Sequence, residues 1–256
     1  MTKVFENIQE WIEFRDNSEI FKNKKIGFVP TMGNLHIGHK SLLERSVKEN
    51  DITVLSIFTN PTQFQNKEDL EKYPFTPKED LQLAEDVGVD FIIKPTYDQI
   101  YPDDYMYMVT NKSEFASTME GKVRPGFFDG ILTVVLKLFL LVKPQKAYFG
   151  EKDYQQMLLV KGLSEAFFLG IEIIPCPIVR TENGFAVSSR NNRLTKEQFE
   201  LAQNFPKILK SGKSCDEIKK DLEKLNIKVN YIEDYKNRRF GSILIDNIVL
   251  IDNIEI

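Results

Sequence analysis

The sequence predicts an α/β protein: a Rossmann-like, doubly wound parallel sheet followed by a smaller C-terminal α+β domain. Three observations carry this. Between Lys25 and Ile178, short apolar runs alternate with helical patterns. Several of those runs are continuous, as strands covered on both faces require. Beyond about residue 180 the texture changes to capped helices and β-rich stretches. A chain of 256 residues is long enough for two cores, and we place the join at residue 174, giving units of 1–174 and 175–256.

The strands are read in order as `IGFV`, `ITVLSIF`, `DFIIKP`, `KAYFG` and `IEIIPCPIV`. Between the second and third, `NPTQF` turns at Pro61 and `TPKEDLQLAEDVG` carries helix signals. Thr76 stands as N-cap, Pro77 as first helical residue, Glu79 as the partner of a capping box and Gly88 as the stop. The run `ILTVVLKLFLLV` contains Lys137 and falls short of the roughly 20 residues that cross a bilayer. It reads as a buried helix. In the second unit, Thr195 with Gln198 and Ser214 with Glu217 open two helices, and `IKVNYIED` and `GSILIDNIVLID` supply strands.

A net charge of −4 gives no broad basic surface for nucleic acid or an anionic membrane. No charged-then-apolar leader opens the chain, and Cys176 and Cys215 follow no pairing pattern, so a cytoplasmic protein without disulfides is expected.

The chemistry concentrates in `VPTMGNLHIGHKSLL`. His36 and His39 are the only two histidines, and they follow a strand at the start of a helix. Unpaired backbone N–H groups and the helix dipole attract anions there, and Gly33 and Gly38 let backbone approach a ligand. Two imidazoles in that place can donate to phosphate oxygens as charge moves. Zinc would need further ligands that the histidine count does not supply. `GNLHIG` is not the glycine pattern of a dinucleotide site. Purely structural helix caps are the plain alternative.

Four further stretches hold candidates, each with a plain reading beside the functional one. Gln63 offers a neutral amide at a strand end, or is a polar turn residue. Arg124, in the loop `EGKVRPGFFDG`, meets a carboxylate or phosphate, or faces solvent. In `YFGEKDYQQ`, Lys152 brings a compact cation to a strand end and Asp153 caps the helix or accepts from a ribose hydroxyl. Gln155 and Gln156 point different ways on that helix, so at most one serves the same site. In `AVSSRNNRL`, Ser188, Ser189 and Arg190 form a donor-rich turn at the join.

Taken together, `PTMGNLHIGH`, `FTNPTQF`, `EGKVRPGFFDG`, `FGEKDYQQ` and `SSRN` resemble the pantothenate synthetase (pantoate–beta-alanine ligase) family of the HIGH-motif nucleotidyltransferases. The likeness spans Gly27 to Leu194, with a weaker echo in `LIDNI` near the end. It implies ATP-dependent joining of pantoate to beta-alanine through an acyl adenylate. His39, His36, Lys152 and Arg190 would be the catalytic set. Pro30, Met32, Gly33, His36, Gly38, His39, Gly150, Lys152, Asp153, Val179, Val187, Ser188, Ser189 and Arg190 would contact ATP. Gln63, Gln156, Asn60, Tyr73 and Arg124 would hold pantoate or beta-alanine. Mg²⁺ would travel with the triphosphate, with Asp80 as an outer contact or a merely solvated carboxylate. A homodimer is implied by the likeness alone. Three residues depart from the family pattern: Phe127 replaces a usual His, Phe75 a common Arg and Asn183 a common Asp. The second unit is also short.

Overall fold

The computed structural model describes residues 2–64 and 67–256. Six parallel strands form the main sheet: β1 (Lys3–Phe5), β2 (Ile26–Thr31), β3 (Ile52–Ile57), β4 (Phe91–Ile93), β5 (Lys146–Gly150) and β6 (Glu172–Cys176). Their order is β1-β4-β3-β2-β5-β6. The chain therefore builds outward from β2 through β3 and β4, then reverses and adds β5 and β6 on the other side. That reversal is the doubly wound arrangement, and its switch point lies between β2 and β5.

Both faces of the sheet are apolar, which explains the continuous runs. Phe28, Val54, Phe91, Ile93, Ala147 and Phe149 pack into one core. Their neighbours Val29, Leu55, Ile92 and Tyr148 pack into the other. Each alternate side chain thus meets a different layer of helices. The run around Lys137 is, as read from sequence, a buried helix, Phe127–Val142. Its lysine leaves the apolar layer to bond the Ile100 carbonyl at 3.0 Å and Asp103 at 3.1 Å. Among the described residues no helix is long and apolar enough to cross a membrane.

Strand β1 was not foreseen: it has three residues, two of them exposed, and pairs only with β4 at the sheet edge. The join expected after residue 174 falls inside β6, so the parallel sheet runs two residues past it. The helix Pro77–Val87 starts and stops where expected, with Gly88 left-handed at φ +91°. Its expected capping box is absent, however. The Thr76 hydroxyl donates to Asp80 at 3.1 Å instead of capping the backbone.

The second unit is an antiparallel meander of β7 (Lys228–Tyr235), β8 (Arg238–Ile245) and β9 (Ile248–Glu255). Both expected capping boxes form, at Thr195 with Gln198 and at Ser214 with Glu217. Phe205, Leu209, Ile218 and Leu222 cover the meander's Ile232, Ile243, Ile245 and Leu250. Toward the large unit, Tyr231 and Phe240 pack on Met119, and the Tyr231 hydroxyl donates to the buried Glu120 carboxylate at 3.1 Å.

Candidate active site

A cavity of about 290 Å³ opens beyond the carboxyl ends of the parallel strands, between the two units. Every candidate from the sequence lines it except Gly33 and Asp80. Its position at the switch point follows from topology, because loops after β2 and β5 diverge there and leave a crevice.

The histidine helix, Ile37–Glu49, begins inside this crevice. His36 is its N-cap residue: Nδ1 accepts the Gly38 N–H at 3.1 Å, while Nδ1 of His39 accepts the His36 N–H at 3.3 Å. The two rings form a reciprocal capping box and lie 4.0 Å apart between centroids. Gly38 makes this possible, since a Cβ there would sit 2.8 Å from the His36 ring. With both Nδ1 atoms accepting, each neutral ring carries its proton on Nε2. Neither Nε2 has a hydrogen-bond partner among the described residues. The histidines are thus helix caps and free donors at once, so the two readings of the sequence are not exclusive.

Burial, and then the Lys152 charge, push the His36 imidazole down to about 4. Burial, followed by His36 and Lys152, takes His39 down to about 3. Both rings are neutral at physiological pH in the ligand-free protein, where each acts as a hydrogen-bond donor. An unfolded imidazole takes up its proton near 6.5. As pH falls below that value the unfolded chain binds protons that the folded chain refuses, so stability is lost between about 6.5 and 4 for His36 and between about 6.5 and 3 for His39. At neutral pH and above, this contribution is flat. Because the chain has only two histidines, imidazole NMR should show two signals that stay unprotonated from pH 8 to pH 5. A midpoint near 6.5 for either ring would contradict the burial described.

After β3, Asn60 is buried and accepts from Thr62 and from the Tyr101 hydroxyl at 2.9 Å. It donates to the Gln63 Oε1 at 3.0 Å, which fixes the Gln63 amide with its NH₂ toward the Met32 sulfur. Asn60 is therefore a holder of Gln63 more than a free contact. After β5, Gln155 is fully engaged by Glu120 N–H and the carbonyls of Phe115 and Thr118, while the Gln156 amide is bonded to nothing among the described residues. Both residues line the cavity, and they differ in that only the Gln156 amide is left unengaged by the described residues.

Lys152 pairs loosely with Asp153 at 3.5 Å. Arg190 makes no ion pair or hydrogen bond among the described residues. Arg124 is partly buried, donates to the Gln63 carbonyl at 2.8 Å, lies 3.6 Å from Glu120 and stacks on the Phe127 ring at 3.4 Å. Burial and the Arg190 charge hold its guanidinium below the usual arginine value. Phe127, where a histidine was expected, thus acts as an apolar plate under Arg124. Phe75 is 78% exposed and lies outside the cavity lining. Asn183 bonds Gln203 at 2.8 Å on the surface.

Several groups escaped the sequence reading. Asn253 of β9 donates to the carbonyls of Glu151 and Lys152 at 2.9 and 3.0 Å, tying the second unit to the lysine loop. Asp252 holds Arg180 through two bonds of 2.8 Å. The `LIDNI` echo was the only signal for either. Arg193 bridges to Asp69 at 3.0 Å, and the Tyr73 hydroxyl meets Ser189, so the serine–arginine turn is tied down over the cavity. Val179 and Val187 are joined by a backbone bond of 3.0 Å at the base of that turn. Asn253→Ala strands two carbonyls and should lower the unfolding free energy by about 1–3 kcal/mol in urea denaturation.

Fold and site together define an α/β ligase with a histidine-capped helix N-terminus at the switch point of a doubly wound sheet. The chain belongs to the pantoate-beta-alanine ligase family, whose family model matches residues 3–255. It is 56% identical over 254 residues to the pantothenate synthetase of Coxiella burnetii, covering 99% of this chain and 97% of that protein. It is 53% identical over 251 residues to that of Legionella pneumophila, covering 98% of each. The fold matches a crystal structure of the Francisella tularensis pantoate-beta-alanine ligase complexed with beta-gamma ATP and beta-alanine. The TM-score is 0.95 at 40% identity, covering 100% of this chain and 98% of that one. A pantothenate synthetase from Thermus thermophilus superposes with a TM-score of 0.89 at 34% identity over 99% of both chains.

Proposed function

We propose that the protein joins pantoate to beta-alanine with ATP, giving pantothenate, AMP and pyrophosphate. The pantoate carboxylate attacks the α-phosphorus, the bond to the bridging oxygen breaks and pyrophosphate leaves. The beta-alanine amine then attacks the acyl carbon of the adenylate, AMP departs with its oxygen and the amine gives up a proton. No covalent bond to the protein is required.

The observation that carries this reading is the pair of neutral imidazoles, in a cavity shared with Lys152 and Arg190, where neither Nε2–H nor the Arg190 guanidinium has a partner among the described residues. A carboxylate approaching a triphosphate is repelled, and the repulsion grows as water leaves. His36, His39, Lys152, Arg190, Ser188 and Ser189 supply donors and positive charge against it. The Gln63 amide, which also meets the Met32 sulfur, and the Gln156 amide, unengaged among the described residues, can donate to the acid, and Arg124 attracts a carboxylate. Gly150, where a Cβ would meet nothing within 4 Å, leaves room for the nucleotide.

Mg²⁺ enters with the triphosphate as substrate. Among the described residues no group of three or more His, Cys, Asp or Glu converges to hold a metal, and the Asp80 carboxylate is already engaged by protein donors. The free thiols Cys176 and Cys215 fit a cytoplasmic setting. Family likeness supports a homodimer. Sedimentation or light scattering should give twice the 29.7 kDa chain mass, and a monomeric mass would contradict it.

The decisive assay supplies ATP, Mg²⁺, pantoate and beta-alanine. AMP should form only with both organic substrates, and pantoate alone should support exchange of pyrophosphate into ATP. Exchange that needs an amino acid and ignores pantoate would overturn the reading.

A further inference from the structure

We infer that Asp80 is a positioning residue for the two histidines, acting through the turn that delivers them. It is 2% exposed and has no ion-pair partner among the described residues. Its Oδ2 accepts the Asn34 N–H at 2.9 Å, and its Oδ1 accepts the Leu35 N–H at 2.7 Å and the Thr76 hydroxyl at 3.1 Å. The turn it grips is unusual: Gly33 and Asn34 are both left-handed, at φ +82° and +50°. Left-handed residues in a turn aim successive N–H groups into one concavity, a geometry that ordinarily collects an anion. Here the anion is the protein's own carboxylate. A Cβ on Gly33 would sit 3.0 Å from Oδ2, so glycine is what lets the carboxylate come so near.

The turn joins the end of β2 to His36, and the clamped Leu35 is the residue immediately before the N-cap ring. Whatever holds Asn34 and Leu35 therefore sets where the capping box forms. The grip comes from the first turn of Pro77–Val87, where the helix dipole and three donors offset the cost of a buried charge. Asp80 is absent from the groups that shift either imidazole, whereas Lys152 is present for both. Its effect on the histidines is geometric. The same engagement of both oxygens argues against the outer metal contact and the solvated carboxylate read from sequence.

The inference rests on the proposed reaction only for its kinetic arm. Asp80→Asn places an NH₂ against a backbone N–H or loses one acceptor, and the turn shifts. In pyrophosphate exchange, kcat should fall about 10²-fold, the scale of an ångström-level misplacement, with KM for pantoate and ATP nearly unchanged. In ligand-free protein the imidazole midpoints should rise from about 3 and 4 toward 6.5 as the rings lose burial. Thr76→Val removes one of the three donors and should show both effects at smaller size, which serves if Asp80→Asn does not fold. Wild-type kcat and imidazole titration in the variants would overturn the inference. So would activity restored by raising Mg²⁺, since that marks a metal ligand. If the wild-type protein ignores pantoate, the proposed reaction fails, and the NMR arm still decides the role of Asp80.

Discussion

His39→Asn should give a folded protein that forms the adenylate about 10²-fold more slowly, or worse. The substitution separates the two jobs of the ring. An asparagine Oδ1 occupies nearly the place of Nδ1, so it can still accept the His36 N–H that the ring accepts at 3.3 Å. What it lacks is the Nε2–H. Loss of one preorganised donor in a water-poor site costs about 10²–10³ in rate, while the cap and hence the helix start survive. The melting temperature should stay within a few degrees of wild type, with kcat carrying the loss. His39→Gln, whose amide nitrogen reaches the Nε2 position, should recover part of the rate while weakening the cap. Because the wild-type ring is held near 3, the defect should be constant from pH 6 to pH 9. A defect that changes with pH would assign the ring an acid role instead. Pyrophosphate exchange at the wild-type rate in His39→Asn would remove His39 from the chemistry.

Strands and helices were legible where a residue pattern and a layer of packing coincide. Phe28 and Val29 are adjacent, apolar and buried in opposite cores, so a continuous run correctly indicated a strand covered on both sides. β1 was invisible because Lys3 and Val4 are exposed and only Phe5 reaches the core. The histidines and Lys152 were legible because each follows a strand end on a loop rich in donors or glycine, and the serine–arginine turn because it gathers donors at the join. Asp80 was not. Its partners are backbone N–H groups 45 and 46 residues away, and every residue type carries the same backbone donor. A carboxylate in a helix's first turn also has a sufficient local explanation in the dipole, which masked the tertiary one. Thr76 misled for a related reason. Its hydroxyl had a cap to make and took the buried carboxylate instead. Asn253 lies about a hundred residues from the loop it secures, and only the folded chain brings them together.

Lys152→Met should lower kcat/KM for ATP by about 10²–10³-fold and at the same time raise the titration midpoints of both histidines. The side chain is largely enclosed, at 19% exposed, and its one carboxylate partner among the described residues, Asp153, stands off at 3.5 Å. Its charge is thus poorly neutralised within the protein and available to a polyphosphate. Methionine keeps the unbranched stem and its packing, so the change is close to a pure loss of charge. The sign of the second effect is fixed. A positive charge nearby disfavours a protonated imidazole, and Lys152 acts in that direction on His36 and His39 alike. Without it both midpoints rise, yet they stay below 6.5 because burial is the larger cause for each ring. Arg190→Met, which also removes a cavity cation, should weaken catalysis without moving the imidazoles, since Arg190 is not among the groups that shift them. The two variants together separate a charge that sets the histidines' protonation from one that serves the ligand only. Unmoved imidazoles in Lys152→Met would mean that the lysine does not face the pair, and the electrostatic account of the site would fail there.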